Sequence, residues 1–221
     1  MPLNVRRFCS AVFVNLLVFV FIALSQDVPS APTSGDVMRD RISKAKAYIA
    51  VRNYNAAIYE LENIRKETAD VSVQGVVNVL LMNSYLEQGD FKRAQEFLNV
   101  YFTAQKSNKA NAAAFYNAIA GQVVKGAKNR AERYRALGLS ISDRTLPLEA
   151  LNDLEKMRET LELVIEQSKE ISKTPARSAD AMAMLEEASN SRSILARDDY
   201  DARKWKDEVA DTREQMVNTR S

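Results

Sequence analysis

The sequence contains no histidine, one cysteine and few residues that break helices. Among its 221 residues are 6 Gly and 5 Pro. The absence of histidine excludes Ser–His and Cys–His nucleophile pairs and histidine-ligated metals within these residues. A single cysteine excludes an intrachain disulfide and a multi-cysteine zinc site. The low glycine and proline content disfavours collagen-like and turn-rich all-β architectures.

The first 25 residues have the pattern of an export signal. Arg6 and Arg7 precede an uncharged apolar run over residues 8–24, and Ala23 and Ser25 are small. This pattern is typical of a secretory signal peptide, so we expect residues 1–25 to be removed after Ser25. The run is shorter than the roughly 20 apolar residues that span a bilayer. An uncleaved N-terminal anchor stays open as the alternative, and it would be the only membrane contact.

The charge balance without that segment argues against a nucleic-acid partner. The segment holds two of the 31 Lys and Arg residues and none of the 29 Asp and Glu residues, so the remaining charges are equal in number. Phosphate recognition needs a net basic surface.

Residues 26–35, QDVPSAPTSG, are rich in Pro, Ser and Gly and are predicted to be a flexible tether. Because this tether follows an export signal, we expect an exported protein, either periplasmic or secreted.

Three segments of the remaining chain align at a constant offset. Residues 45–61 and 82–98 match well, residues 119–131 match more loosely, and Ala57, Ala94 and Ala131 are 37 residues apart in succession. Each segment predicts a helical hairpin in which the alanine lets two helices approach closely. The turns are predicted at Arg52–Asn53, at Gly89–Asp90 and, in the third segment, at Gly126, where a left-handed backbone ends a helix. Tyr54 and Phe91 are expected to fill the first two turns.

This pattern resembles the tetratricopeptide repeat, most clearly in the second segment. The residues at the signature spacing there are Leu81, Tyr85, Gly89, Phe91, Ala94 and Leu98. The resemblance implies an all-α fold in which antiparallel helical hairpins stack as a short solenoid over residues 36–138.

The C-terminal part, residues 139–221, is predicted to be a helical region with a degenerate capping repeat. A polar break leads to a helix over 148–172, because apolar residues recur there at helical spacing. A second helix is predicted to begin with Thr174 as N-cap and Pro175 in the first turn. The last helix, at about 200–217, is heavily charged, and Tyr200 is expected to fill the turn before it.

The resemblance implies a non-enzymatic scaffold that binds a protein or peptide in a concave groove lined by the first helices of the hairpins. An apolar peptide or an amphipathic helix is the expected ligand. No catalytic, cofactor-binding or metal-binding residue is predicted, and the chain is expected to be a monomer or a homodimer. Two alternatives remain at this stage: helix 148–172 fills the groove, or it assembles a structural oligomer. The predicted groove residues are Ile42, Lys46, Ile49, Val79, Asn83, Leu86, Tyr116 and Val123, with Ala120 beside them.

Overall fold

The structure, a computed structural model, describes residues 34–218. The predicted signal peptide and residues 26–33 of the predicted tether lie outside the described residues. Residues 34 and 35, predicted as tether, are already helical. Backbone contacts separate a unit that ends at Val37 from a unit that begins at Met38. The packing described below lies within the second unit.

The described residues form helices and connecting turns and contain no strand, which confirms the predicted all-α class. A short 3-10 helix, Pro175–Arg177, precedes the seventh α-helix. The α-helices are α1 (Ser34–Ala50), α2 (Tyr54–Glu67), α3 (Val71–Gln88), α4 (Phe91–Lys106), α5 (Ala112–Ala136), α6 (Leu148–Ser172), α7 (Ser178–Ile194) and α8 (Asp199–Asn218).

The first two hairpin turns have the geometry that the sequence predicts. Arg52 and Gly89 adopt left-handed backbone conformations, with φ of 59° and 79°. In each turn the next residue donates its backbone N–H to the carbonyl of a tyrosine five residues earlier, which satisfies an end group of the helix. These bonds run from Asn53 to Tyr48 (2.8 Å) and from Asp90 to Tyr85 (2.9 Å).

The predicted turn at Gly126 is wrong, because α5 runs without interruption from Ala112 to Ala136. The third turn begins instead at Gly138, whose φ is 71°. There the N–H of Leu139 donates to the carbonyl of Tyr134 at 2.9 Å, as in the first two turns. Gly126 has a packing role: a Cβ atom added to it would lie 3.1 Å from Cδ1 of Leu86.

Successive hairpins pack side by side. Helix α3 contacts α2, α4 and α5, and helix α5 contacts α3, α4, α6 and α7. Helix α7 contacts α5, α6 and α8. Each of these three helices therefore packs against its hairpin partner, against the preceding helix and against the nearest first helix of a neighbouring hairpin. Ala94, predicted at a close helix approach, is fully buried, and Glu96, predicted on the outside, is exposed.

Aromatic edge-to-face contacts join α3, α4 and α5. The ring centroids of Tyr85 and Phe97 lie 5.9 Å apart, those of Phe97 and Tyr101 5.1 Å, and those of Tyr101 and Phe115 5.8 Å. The Tyr85 hydroxyl donates to Glu62 on α2 at 2.7 Å. Such ring pairs stabilise packing beyond the area that they bury.

Helix α6 has the predicted bounds, and its apolar stripe is covered within the chain. Leu154, Met157, Leu161 and Val164 are all almost fully buried. The helix packs against α4, α5 and α7. It is thus the second helix of the third hairpin.

The C-terminal hairpin differs from the sequence prediction in two details. The Thr174 side chain makes no capping bond, and a 3-10 turn precedes α7. Tyr200 is 77% exposed and does not fill the turn, whereas Trp205 is buried. Trp205 packs over the guanidinium of Arg192, with 5.0 Å between the ring centroid and Cζ.

Candidate functional site

The first helices of the second, third and fourth hairpins expose one continuous face each. On α3 this face carries Val76, which is 43% exposed, and the half-buried residues Val79, Leu80 and Asn83. These positions recur at helical spacing on the side opposite the buried residues. The face of α3 is therefore apolar but partly open to solvent.

The corresponding face of α5 begins with small residues. Ala114 is exposed, and Ala118 and Gly121 are half-buried. A Cβ atom added to Gly121 would meet no atom within 4 Å, so the surface in front of this glycine is open. On α7, Ala183 and Glu187 are exposed at the same spacing. Small side chains on neighbouring helices leave room for another polypeptide to approach the backbone.

Five of the predicted groove residues retain accessible surface. Lys46 is exposed, and Val79 and Asn83 are half-buried on the open face of α3. Ile42 and Ile49 are half-buried and pack against the hydrophobic core. These two isoleucines therefore attach α1 to the hydrophobic core and offer little accessible surface to a ligand.

The other three predicted groove residues face the interior. Leu86, Tyr116 and Val123 are no more than 2% exposed, and Ala120 beside them is fully buried. The Tyr116 ring packs against Phe102, with 6.2 Å between centroids. Burial raises the pKa of the Tyr116 hydroxyl. In this arrangement these side chains do not reach a partner.

The register of α5 explains the burial of Tyr116 and Val123, whereas Leu86 lies at the predicted register of α3 and is buried against Gly126 of α5. Val79, Asn83 and Leu86 lie 10, 6 and 3 residues before Gly89, and the first-hairpin positions lie equally far before Arg52. The same distances before Gly138 give three different residues of α5. They are Lys128, Glu132 and Arg135, of which the first is half-buried and the other two are exposed. Tyr134 and Gly138 have the same spacing as Tyr85 and Gly89. This spacing is the sequence signal that identifies Lys128, Glu132 and Arg135 as the equivalent positions.

The open face therefore changes character along the molecule. It is apolar on α3, small at the start of α5 and charged at the end of α5. The neighbouring Arg133 donates to both carboxylate oxygens of Glu87, at 2.9 and 3.3 Å, which joins the ends of α5 and α3. A ligand on this face would meet apolar and ionic surface within one helix length.

Within residues 34–218, no three Asp, Glu, Cys or His side chains are grouped to hold a metal ion. The carboxylates with lowered pKa are engaged in hydrogen bonds with neighbouring donors: Asp90 with Arg93, Asp143 with Thr145, Glu155 with Arg197 and Arg158, Glu170 with Lys173 and Lys106, and Asp201 with Arg192, Arg197 and Trp205. Each of these carboxylates therefore already has a hydrogen-bond donor beside it.

Comparison with known proteins gives no relative. No family model, no curated protein and no solved structure matches the chain. Among the described helices, none combines the length and apolar character that a bilayer crossing requires.

Proposed function

We propose that the chain is a non-enzymatic protein-interaction scaffold of the tetratricopeptide type, exported to the bacterial cell envelope or the secreted space. The observation that carries the proposal is the open face of the first helices, which carries Val76 and Val79 on α3 and the small residues Ala118 and Gly121 on the contacting helix α5. Stacked helical hairpins use such faces as extended binding surfaces.

The chemistry of the face favours an amphipathic helix as the ligand. Apolar residues of α3 would contact its apolar side, as in other helix-in-groove complexes. Lys128 and Arg135 at the end of α5 are placed to meet polar residues of the same ligand. The mixture of apolar and charged surface is poorly matched to a wholly apolar peptide.

The alternative of an oligomer built on α6 lacks a supporting observation. The residues that would form its interface are packed inside the chain. Leu154 and Leu161, for example, have no exposed surface. Exposing these leucines would break the contacts of α6 with α4, α5 and α7.

Export is supported by the sequence of the first 25 residues alone. N-terminal sequencing of the exported protein should begin at Gln26. Full-length protein recovered from the membrane fraction would contradict cleavage and favour the anchor.

A peptide selection tests the binding proposal. Peptides selected on the protein from a random phage-displayed library should be amphipathic, and a Val79→Arg variant should bind them about ten-fold more weakly or worse. Val100→Arg is the matched control, because Val100 is 60% exposed on α4, a second helix. Selected peptides that bind both variants as well as wild type would overturn the assignment of the face.

A further inference from the structure

The connection inside the third hairpin is much longer than those inside the first two. Residues 51–53 and 89–90 join the first two helix pairs, whereas residues 137–147 join α5 to α6. Insertions in repeat proteins fall on one face of the molecule and often contribute to binding. This third connection is longer than the roughly 2–8 residues that usually connect packed helices.

This connection holds leucines at the surface. Leu137 is 74% exposed and Leu139 is 43% exposed, and both follow directly on the last helical turn of α5. Leu146, near the other end of the connection, is half-buried and packs against the core. Exposed apolar side chains that cluster in this way mark interaction sites more often than isolated ones do.

The leucines line one wall of a cleft, which we call the loop cleft. Its volume is about 440 Å³, within the range of about 300–1,000 Å³ that is usual for ligand sites. Helices α3, α5 and α6 and the connection all contribute to it. Its apolar lining comprises Tyr134, Leu137, Leu139, Leu146, Pro147 and Ala150.

The charged residues of the loop cleft neutralise one another. Arg133 donates to both oxygens of Glu87 at 2.9 and 3.3 Å. Arg130 donates to Asp153 and, at 3.3 Å, to the carbonyl of Leu86. Two cations and two anions are thus closed into pairs, and an ionic ligand would have to break one of them. An uncharged apolar group matches the cleft better.

The extent of the apolar surface decides between a second copy of the chain and a single inserted group. A stable dimer buries roughly 800 Å² on each partner, far more than the two exposed leucines and the cleft beside them offer. One bulky apolar side chain fits the volume and the lining. Single anchor residues of this kind supply much of the affinity of a peptide interface.

We propose that the loop cleft binds a bulky apolar side chain, Leu, Phe or Trp, of a partner polypeptide. The anchor enters between the connection and the start of α6, and the Arg133–Glu87 pair lies beside it. The apolar lining of this cleft shares no residue with the open face of the first helices, and the proposal does not depend on the function proposed for that face.

Methyl NMR of the full chain tests the proposal. Protein labelled with ¹³C at the leucine and valine methyl groups is titrated with N-acetyl-L-tryptophanamide and, separately, with the charged N-acetyl-L-aspartate amide. We expect saturable shifts of the Leu137, Leu139 and Leu146 methyl signals with the tryptophan probe alone. The exposed Val100 methyl groups on α4 should not move.

Variants make the outcome decisive. The Leu137→Ser/Leu139→Ser variant should keep the fold, since Leu137 is 74% and Leu139 43% exposed, and should weaken binding about ten-fold or more. Ala150→Trp, which fills the cleft from α6, should abolish the shifts. Absence of saturable shifts, equal shifts at Val100, or equal binding of the aspartate probe would overturn the proposal. Tighter binding of octanoate than of the tryptophan probe would also overturn it in favour of a lipid, and a wild-type dimer dissociated by the double variant would overturn it in favour of a second copy.

Discussion

A fully buried arginine holds the C-terminal hairpin together. Arg192 has no exposed surface and donates to Glu162 at 2.8 Å and to both carboxylate oxygens of Asp201 at 3.0 and 3.1 Å. The indole N–H of Trp205 donates to the same carboxylate at 3.0 Å. Side chains of three helices, α6, α7 and α8, therefore meet at one guanidinium. The two carboxylates offset the free-energy cost of burying the arginine charge.

Removing this guanidinium should be strongly destabilising. Arg192→Ala removes a fully buried charge and leaves the partly buried Asp201 carboxylate without its main partner, so we expect a loss of about 3–5 kcal/mol in the free energy of unfolding. Arg203→Ala, at an exposed position on α8, should change it by no more than about 0.5 kcal/mol. Urea unfolding of both variants measures the difference, and similar midpoints would contradict the network.

The same carboxylate predicts a pH dependence. Burial alone would raise the pKa of Asp201, but the hydrogen bonds from Arg197, Arg192 and Trp205 and the charge of Arg192 outweigh it and lower the pKa. Stabilisation by Asp201 is therefore present above the ordinary aspartate value of about 4 and is lost as the pH falls through the lower folded value. We expect the stability difference between wild type and Asp201→Asn to be constant from about pH 5 to 8 and to shrink below about pH 4. A difference that grows on acidification would show that the sign is wrong.

Ala94 provides a steric prediction at the residue scale. The side chain has no exposed surface, so Ala94→Leu should overpack the second hairpin and cost about 1–3 kcal/mol. Glu96→Ala, at an exposed position of the same helix, should stay within about 0.5 kcal/mol. Equal melting temperatures for Ala94→Leu and wild type would contradict the close approach.

At the scale of secondary structure elements, a tyrosine and a left-handed residue define each of the first three hairpin turns. Tyr48, Tyr85 and Tyr134 each accept a backbone N–H from the residue that follows the left-handed position. Arginine occupies that position in the first turn and glycine in the other two. The turn type is therefore fixed by backbone hydrogen bonding and tolerates a side chain at some cost.

Alanine substitutions of two glycines test where α5 ends. Gly138→Ala should destabilise by about 1–2 kcal/mol, because its φ of 71° disfavours any residue with a Cβ. Gly121→Ala, inside the helix and facing open space, should stabilise by about 0.5–1 kcal/mol. Thermal unfolding separates the two, and a neutral Gly138→Ala variant would place the turn elsewhere.

The packing of α6 predicts a further contrast within one helix. Leu154→Ala removes a fully buried side chain and should cost about 2–5 kcal/mol. Leu148→Ala, at a position that is 67% exposed, should have little effect on stability. Both variants should keep the wild-type mass in sedimentation. A loss of mass without a loss of stability in Leu154→Ala would favour the oligomer through α6.

The sequence predicted the first two hairpins and α6 because their signals are local. A left-handed residue at the turn and an apolar stripe act within a few positions of each other. The third hairpin was misplaced because Gly126 and Ala131 fit the 37-residue offset by residue type alone. Gly126 lies against Leu86, which is 40 positions away in the sequence. Packing between residues so far apart leaves no periodic pattern in the sequence. The error in register moved Tyr116 and Val123 from the core to the predicted groove.

At the scale of the whole molecule, the packing order determines which surfaces are available. Helices α2, α4 and α6 each pack against the first helix of the following hairpin. The opposite sides of α3, α5 and α7 stay exposed, and the long third connection adds the loop cleft at the ends of α3 and α5. Both proposed binding surfaces therefore depend on α5 being one helix that ends before Gly138.

Hydrogen exchange followed by mass spectrometry tests that dependence most directly. We expect amides from about Tyr116 to Ala136 to be protected as one block, with no break at Gly126. Exchange should be faster over residues 137–147, where regular helix is absent. A segment of fast exchange centred on Gly126, together with protection through Gly138, would contradict the hairpin register and with it both proposed surfaces.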